Sequence, residues 1–476
     1  MDSPDDLRRA ARSIFEATLA SLDARAATRR ALSFTNGRLN ILDTVFDLNA
    51  RPLALYSIAF GKAAGAMASA LDEALDEARD EGTPASAARV ALAGGVVSAP
   101  PSTCVGLSER WQVYAGGHPL PNEASLAAAR AAFTLLRAAD AAERALVIFL
   151  ISGGGSAMLE WPRDESITLA ELRAANDALV SCGAGIGEIN AVRRAFSAVK
   201  GGGLGAYAGR AAQISLIISD TKRDEPHNVA SGPTYPFSHE SPDPLEIVKR
   251  YQLAARFPAS ILRAVSRHSS FQSPPPFQSP PPFQSETSVV APLRRQHVLL
   301  DNERALARAA EVAAAHGFKV EIAHDISEQP VAEGAAMLVS RLFDLRMRAG
   351  GRRVCLVSGG EFSCPVRGAG IGGRNAETAL RCAFEIEAHA AARSSSAATA
   401  RVVALSAGTD GIDGNSPAAG AACDDTTLAR ARARSLDPQR FLAASDAYTL
   451  LAGLGDAVTT GATATNVRDL RILLME

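Results

Sequence analysis

The feature that most constrains the fold is a pattern that recurs along the chain: a short apolar run, a turn containing Gly, Ser or Asp, and then a helix-like segment. The runs are continuous rather than alternating, which is typical of strands buried on both faces, as in a parallel sheet covered by helices. The apolar runs span residues 53–60, 90–92, 145–151, 214–218, 354–357 and 402–405. The sequence therefore predicts an α/β fold.

Each apolar run is followed directly by a polar turn. In open parallel sheets, ligands bind outside the carboxyl ends of the strands. The predicted turns begin at Gly61, Gly94, Ser152, Ser219, Ser358 and Ser406. We therefore expect the chemistry of this protein to reside on turns and not on helix surfaces.

The chain length of 476 residues allows two or three domains at roughly 100–200 residues each. We predict an N-terminal α/β domain over 1–252, a connecting segment over 253–296 and a C-terminal α/β domain over 297–476. Within the connecting segment, Phe-Gln-Ser-Pro-Pro-Pro occurs twice and begins a third time. Triple prolines lack amide donors and favour an extended conformation, so this stretch is predicted to be a loop insertion, with an SH3-type ligand as the alternative.

Charge and composition exclude several classes of protein. Lys and Arg number 49 against 51 Asp and Glu, so no broad cationic field attracts nucleic acid or anionic lipid. No apolar run reaches the ~18–20 residues of a membrane helix. The 6 cysteines form no C-x-x-C pair, which favours a reducing compartment. We expect a cytoplasmic protein, monomer or homodimer, that binds small molecules and neither nucleic acid nor membrane.

The N-terminal region from Arg8 to Arg30 is rich in Arg and Ala, like a transit peptide. However, Ile14, Leu19 and Leu22 recur at helical spacing, and Asp23 interrupts the basic face. We therefore predict a structural helix in this region.

A set of small, polar turns is suited to binding phosphate. Gly61 and Lys62 follow one apolar run, and residues 152–156 (Ser-Gly-Gly-Gly-Ser) follow another and precede a predicted helix. Amides without obstructing side chains, together with a helix N-terminus, can surround phosphate oxygens. The predicted phosphate-binding residues of these turns are Gly61, Lys62, Ser152, Gly153, Gly154, Gly155 and Ser156. A tight packing turn and a solvated lysine are the alternatives.

Charged residues near later strand ends complete the candidate site. Arg374, which precedes Asn375, offers a bidentate fork for a carboxylate or phosphate. Carboxylates that can hold magnesium or orient a substrate hydroxyl group are Asp220, Glu361, Asp410 and Asp413. Each can instead be a turn residue or a helix cap. His118 and His227 lie in turns without metal-ligand spacing.

A literal G-x-G-x-x-G at Gly368, Gly370 and Gly373 suggests a dinucleotide site, with Glu385 and Glu387 downstream. The preceding Pro365 and Arg367 do not form the buried strand that such a fingerprint requires. An NAD(P)H-dependent oxidoreductase is therefore kept as an alternative and is not the main prediction. The chain has neither a G-x-x-x-x-G-K-[ST] motif nor a G-x-S-x-G motif.

Taken in order, the motifs resemble the glycerate 2-kinases that contain a MOFRL domain, a family whose older names often read hydroxypyruvate reductase. The resemblance extends nearly end to end. It rests on AFGKAAGAMA, GGHPLPNEAS, LISGGGSAML, EINAVRRAFSAVKGGGLG, SDTKRDEPHNVASGPT, VSGGEFSCPVRGAGIGGRNAETAL, SAGTDGIDGNSPAAGA and TTGATATNVRDL.

The resemblance implies a Rossmann-like three-layer N-terminal domain with a mainly parallel sheet and a C-terminal MOFRL-type domain, with the active site in the cleft between them. It implies ATP and Mg²⁺ as cofactors and D-glycerate as the substrate, giving 2-phospho-D-glycerate. Lys62, Arg374 and Asp220 are the expected catalytic residues. Asn190, Lys200, Glu361 and Asn375 join the substrate- and phosphate-binding set, and Asp220, Asp410 and Asp413 are the expected metal ligands.

The chain departs from the usual family residues within several of these motifs. Thr221, Lys222 and Arg223 replace Val-Pro-Gly, and Phe362 replaces a Thr. The other replacements are at Ala195, Ala376, Pro417, Ala462 and Ala464. Two alternatives therefore accompany the kinase prediction: the hydroxypyruvate reductase, and a protein that binds a nucleotide or metabolite without turnover.

Overall fold

The computed structural model describes residues 4–49, 51–80, 92–235, 242–270, 292–392 and 400–476, and the chain divides into two compact units. The parallel-sheet unit comprises described residues within 24–219 and 224–299. The mixed-sheet unit comprises those within 1–23, 220–223 and 300–476. These units differ from the predicted bounds because the first helix and residues 220–223 cluster with the C-terminal part. The prolines of the FQSPPP insertion lie outside the described residues.

Both units combine helices with strands. The helices are α1 (Pro4–Ser21), α2 (Ala24–Arg30), α3 (Ala64–Asp80), α4 (Glu123–Ala141), α5 (Gly155–Met158), α6 (Leu169–Val180), α7 (Ile186–Phe196), α8 (Gly203–Tyr207), α9 (Pro244–Arg250), α10 (Ala259–Ser270), α11 (Asn302–Ala315), α12 (Val331–Arg348), α13 (Arg374–Ala392), α14 (Thr427–Ala433), α15 (Pro438–Ala443) and α16 (Ala447–Leu454). The strands are β1 (Leu32–Thr35), β2 (Arg38–Ile41), β3 (Thr44–Asp47), β4 (Ala54–Phe60), β5 (Leu92–Ser98), β6 (Trp111–Tyr114), β7 (Ala145–Ile151), β8 (Ala212–Ile218), β9 (Arg294–Leu300), β10 (Lys319–Ile322), β11 (Val354–Ser358), β12 (Val402–Gly408), β13 (Gly420–Asp424), β14 (Ala457–Val458) and β15 (Asp469–Met475). Short 3-10 turns cover Pro101–Thr103, Pro226–Ser231 and Leu253–Ala255.

The parallel-sheet unit is built on a sheet with the strand order β6-β5-β4-β7-β8-β9. Neighbouring strands from β6 to β8 run parallel. All residues of β7 are buried, as the continuous apolar run predicts. Strands β4 and β7 pair in register from Ala54 opposite Ala145 to Phe60 opposite Ile151. Their carboxyl ends therefore lie side by side, and the turns that follow them start at the same level.

The predicted turn at Gly94 and Gly95 is wrong, because both glycines lie inside strand β5. A side chain at Gly95 would overlap the indole ring of Trp111, and one at Gly94 would reach 2.8 Å from Leu135 Cδ2. These glycines make room for bulky neighbours on the two faces of the sheet. Glycine in a strand interior commonly marks such a close approach.

A three-stranded antiparallel sheet formed by β1, β2 and β3 was not predicted. The strands are four residues long and are joined by tight turns at Asn36-Gly37 and at Leu42-Asp43. Only Leu32, Leu39 and Ile41 in these strands are buried. This short pattern is too weak to stand out in the sequence.

The mixed-sheet unit has the strand order β10-β11-β15-β12-β13-β14. Strand β15 lies between β11 and β12 and runs antiparallel to both. We expected β11 and β12 to pair with parallel neighbours, and their pairing with β15 shows that this prediction is wrong. Both strands are buried as predicted. Helices α1 and α11 contribute to the core cluster on one side, and α12 and α13 contribute to a second core cluster.

The predicted N-terminal helix is confirmed as α1, which packs in the mixed-sheet unit. Ile14 and Phe15 are fully buried in its core. The Arg8 guanidinium forms ion pairs with the carboxylates of Asp424 and Asp456. None of the helices within the described ranges has the length and apolar character that crossing a membrane requires.

Candidate active site

The turns that follow β4 and β7 are joined by hydrogen bonds. The Lys62 amide donates to the Gly153 carbonyl at 2.8 Å, and the Ala63 amide donates to Ser152 Oγ at 3.0 Å. These bonds exist because the two strands end opposite each other. The structure thus brings the predicted lysine turn and the predicted glycine-rich turn together as one element.

Gly154 lies between the side chains of Lys62 and His118. It has a φ of +80°, a left-handed conformation that favours glycine. A Cβ at this position would lie 3.0 Å from His118 Cδ2 and 3.4 Å from Lys62 Cγ. The backbone of Gly154 is therefore flanked by the Lys62 and His118 side chains, and sequence analysis assigned His118 no role.

The helix that follows the glycine-rich turn is only about one turn long. Helix α5 has only 4 residues, so it supplies little of the dipole of a full helix. Helix α3, which follows Lys62, has 17 residues. A favourable helix N-terminus near these turns therefore comes from α3 rather than α5.

Ser156 and Asn190 are linked through one side chain. Ser156 Oγ lies 3.0 Å from Ser231 Oγ, and Ser231 Oγ donates to Asn190 Oδ1 at 2.8 Å. Asn190 is buried on α7 and also donates to Asn228 Oδ1 at 3.4 Å. Asn190 thus supports the glycine-rich turn through Ser231. Sequence analysis missed Ser231 as the residue that connects them.

Lys200 lies beneath the same turn in a buried ion pair. Its side chain and that of Glu160 are each 1% exposed, and its Nζ donates to the Ser156 carbonyl at 3.0 Å. Burial lowers the pKa of Lys200 from its ordinary value, although Glu160 acts in the opposite direction. The structure therefore places this predicted phosphate-binding lysine where it holds the turn, with its amine directed at protein atoms.

In the mixed-sheet unit, Arg374 begins helix α13 and binds two carboxylates. Its Nε donates to Asp469 Oδ2 at 2.6 Å, and its Nη2 donates to Glu361 Oε1 at 2.7 Å. Asp469 is 1% exposed, whereas Arg374 and Glu361 are 35% and 34% exposed. Burial lowers the pKa of Arg374, but Asp469 and Glu361 outweigh this and raise it. Burial also raises the pKa of Glu361.

Asn375 and Asp413 fix the start of helix α13. The Asn375 amide donates to Asp413 Oδ1 at 2.9 Å, and the Ala376 amide donates to Asp413 Oδ2 at 2.8 Å. The Asn375 side chain donates to Asp469 Oδ1 at 2.9 Å. Both Asp413 oxygens therefore accept helix amides, so this predicted metal ligand caps a helix.

The other predicted metal ligands, Asp220 and Asp410, are both half-buried. Asp410 Oδ1 accepts from the Ile412 amide at 3.2 Å. The charge of Asp220 contributes to the raised pKa of Glu361. Across the part of the chain that the structure describes, no three or more His, Cys, Asp or Glu side chains form a group that could hold a metal ion. Asp220, Asp410 and Asp413 therefore do not form such a group within the described residues.

The pH dependence of stability is expected to report on Asp413. Burial raises its pKa from 3.8 to about 6, against the effect of its two amide donors. A raised carboxyl pKa adds stability that is present below the unfolded value and is lost as pH rises through the folded value. Between pH 5 and 7.5, the wild-type free energy of unfolding should fall by about 1 kcal/mol more than that of Asp413→Asn. Urea unfolding followed by circular dichroism measures both slopes, and equal slopes would contradict the assignment.

Sequence analysis missed two residues that organise this cluster, Asp469 and Arg471, and gave no contact for Phe362, which packs against Arg471. The Arg471 guanidinium is 1% exposed and lies 3.5 Å from the Phe362 ring centroid. It donates to the carbonyls of Gly359 and Gly360, the latter at 3.2 Å. Burial lowers the pKa of Arg471 to about 10. The signal available in the sequence was a pair of charges two residues apart in the apolar C-terminal run.

The G-x-G-x-x-G sequence does not form a dinucleotide fingerprint. It lies in a long loop between β11 and α13, whereas the fingerprint requires a strand that leads directly into a helix. A side chain at Gly368 would lie 2.6 Å from the Ala444 carbonyl oxygen. Its glycines therefore allow close packing of the loop.

Comparison with known families divides the chain in two. Residues 10–266 match a family described as a domain of unknown function, DUF4147, and residues 354–469 match the MOFRL family. The first match alone spans more than half of the chain.

Similar proteins of known name cover most of the chain. D-glycerate 2-kinase of Thermotoga maritima is 31% identical over 77% of this chain and 80% of its own length. Glycerate kinase of Homo sapiens is 32% identical over 98% of this chain and 92% of its own length. A putative hydroxypyruvate reductase of Agrobacterium vitis is 34% identical over 77% of this chain and 89% of its own length. The crystal structure of Thermotoga maritima glycerate kinase is 27% identical, covers 99% of this chain and 100% of that one, and has a TM-score of 0.75.

Proposed function

The chain carries a DUF4147 match and a MOFRL match and belongs to the glycerate kinase family, and we propose that it transfers the γ-phosphoryl group of ATP to the 2-hydroxyl group of D-glycerate. The products are 2-phospho-D-glycerate and ADP. This reaction needs phosphate binding, charge neutralisation and alignment of the hydroxyl group, with little covalent chemistry by the protein.

The observation that carries the proposal is the joined pair of turns at Lys62 and Gly153. The hydrogen bond of 2.8 Å from the Lys62 amide to the Gly153 carbonyl holds the lysine turn against the glycine-rich turn. Gly153 and Gly154 have no side chains, so their backbone is accessible to a ligand. A Cβ at Gly154 would fill the space beside Lys62 and His118, so the residues present fit a phosphate group. We assign phosphate binding to Lys62 and to residues 152–156.

Magnesium supplies neutralisation of phosphate charge when it is bound with ATP. It is commonly held by one or two carboxylates together with substrate phosphates. The half-buried Asp220 and Asp410 fit that requirement, whereas Asp413 has both oxygens engaged by helix amides. We assign metal contacts to Asp220 and Asp410, and Asp413 positions Arg374 and Asn375.

Arg374 is assigned to an anionic substrate group, with Asp469 and Glu361 orienting its guanidinium. Because its Nε and Nη2 are held at 2.6–2.7 Å by these carboxylates, its plane is defined before substrate binds. Such preorganisation is the main way in which an enzyme stabilises developing charge. Asp220 is assigned to orient the attacking hydroxyl group or the metal ion.

The full chain incubated with ATP, magnesium and D-glycerate tests the proposal. Phosphorus NMR should show loss of the γ-phosphate resonance and appearance of a secondary phosphate ester at the 2-position. Omission of D-glycerate is the control for ATP hydrolysis. If ATP remains intact while hydroxypyruvate is reduced at the expense of NADH or NADPH, the kinase proposal is wrong and the reductase alternative is supported.

A further inference from the structure

Three of the seven buried side-chain nitrogen and oxygen atoms that have no hydrogen-bond partner within the described residues lie close together near residue 468. Within the described residues, Thr465 Oγ1, Arg468 Nε and Arg471 Nε are buried and have no hydrogen-bond partner. Such atoms are rare in folded proteins, and each calls for a water, an ion or a ligand. All three lie within seven residues that include Asp469, the residue that holds Arg374.

Arg468 is a buried cation whose ion-pair partner is partly exposed. The residue is 8% exposed, and its Nη2 forms an ion pair with Glu328 Oε1. The other oxygen of Glu328 lies 3.6 Å from Lys222 Nζ, and the Glu328 side chain is 39% exposed. One rather exposed carboxylate therefore lies between two cations, in an arrangement that also suits the oxyanion of a ligand.

The backbone of Arg468 is fixed by hydrogen bonds, whereas the side chain of Glu328, its ion-pair partner, is partly exposed. Its φ is +74°, and its carbonyl accepts from the Thr409 amide at 3.1 Å and from Thr409 Oγ1 at 2.7 Å. These bonds fix Arg468 beside the turn that carries Asp410. The backbone of Arg468 is therefore held in place, while the side chain of Glu328 can move into solvent.

Replacing the carboxylate partner by a ligand oxyanion costs less free energy at Arg468 than at Arg374. Arg374 is bound by Asp469, which is 1% exposed and would be left buried and unpaired if the arginine moved. Leaving a buried charge unpaired is strongly destabilising. An anionic ligand that replaces Glu328 instead keeps Arg468 neutralised, and the released glutamate is solvated.

We propose that Arg468 binds an oxyanion of a substrate directly and that Glu328 takes the place of this oxyanion when substrate is absent. The inference rests on the proposed kinase function and adds a residue to it. The ligand chemistry is an anionic oxygen pair, which the carboxylate of glycerate and the phosphates of ATP both present. Lys222 provides the second positive charge.

Steady-state kinetics of Arg468→Met, Arg468→Lys and Glu328→Gln in the full chain tests the inference. Arg468→Met should raise the KM of one substrate about 10- to 100-fold, since a hydrogen-bonded charge pair is lost. A rise in the KM for ATP identifies the oxyanion as phosphate, and a rise in that for D-glycerate identifies it as the carboxylate. Arg468→Lys should recover part of the loss because it keeps the charge without the fork.

Glu328→Gln should lower the same KM about two- to fivefold, because a competing, weakly held carboxylate has been removed. Glu321→Gln is the matched control, since Glu321 pairs with Arg341 and Arg348 in the same unit. It should leave both KM values unchanged. If Arg468→Met does not fold, Glu328→Gln alone decides, and an unchanged or higher KM overturns the inference.

A folded Arg468→Met with both KM values within twofold of wild type also overturns the inference. Failure of the proposed function is recognised separately, because wild-type protein would then form no phosphoglycerate. In that case, calorimetric titration with ATP and with D-glycerate compares wild type with Arg468→Met. Equal affinities in both titrations would exclude an oxyanion contact at Arg468.

Discussion

Replacing Lys62 with alanine is expected to reduce kcat/KM for D-glycerate phosphorylation by about 10²- to 10³-fold, the usual cost of removing a preorganised charge-stabilising donor. The loss should appear mainly in kcat, because the positive charge matters most when charge on the transferring phosphoryl group is redistributed. A coupled ADP-release assay at several ATP concentrations separates kcat from KM. The hydrogen bond from the Lys62 amide to the Gly153 carbonyl involves only the main chain. The turn should therefore persist in the variant.

Lys249→Ala is the matched control for this experiment. Lys249 lies in the same unit, is 62% exposed and pairs with Glu246, one turn away in helix α9. Its replacement should change kcat/KM less than twofold. If Lys62→Ala keeps more than half of the wild-type activity, Lys62 is not part of the catalytic site.

Replacing Lys200 with methionine is expected to destabilise the parallel-sheet unit by about 3–5 kcal/mol, the cost of leaving one member of a buried ion pair uncompensated. Glu160, which is 0% exposed, would lose its ion-pair partner and keep a hydrogen bond from Ser197 Oγ at 2.5 Å, with Arg163 and Arg193 interacting only through their charges. The Ser156 carbonyl would also lose its donor. Activity should fall as well, because the glycine-rich turn loses its support.

Urea unfolding followed by tryptophan fluorescence is a suitable measurement. The chain has 2 Trp, and both Trp111 and Trp161 belong to the parallel-sheet unit, so the signal reports on that unit alone. The double variant Lys200→Met with Glu160→Gln should be more stable than Lys200→Met, since no buried charge remains unpaired. Equal stabilities of the single and double variants would contradict the buried-pair interpretation. Lys249→Met is the control for an exposed pair, with an expected cost of about 1 kcal/mol or less.

Several elements could be predicted because their local signal is strong. Strand β7 spans the predicted residues 145–151, since a run of seven apolar residues can be satisfied only by burial on both faces. Helix α1 was predicted from the spacing of Ile14, Leu19 and Leu22, and it ends at Ser21, one residue before the last of these. The joined turns at Lys62 and Gly153 follow from the rule that carboxyl ends of adjacent parallel strands meet at one edge.

Other elements depend on neighbours that are distant in the sequence. Gly95 is a strand residue because Trp111 occupies the space above it. Strand β15 pairs antiparallel between β11 and β12 although it carries two charges. Those charges are tolerated because Asp469 meets Arg374, and Arg471 meets the Gly359 carbonyl and the Phe362 ring.

The α/β class, the buried strands and the order of the motifs could be read from the chain, because apolar periodicity and turn composition act over a few residues. The role of each polar residue became clear from its contacts in the folded protein. These contacts showed that Lys200 supports a turn, that Asp413 caps a helix and that Asp469 binds Arg374. The physical reason is that the role of a charged group depends on its partners and its burial, and both are set by contacts between residues far apart in the chain.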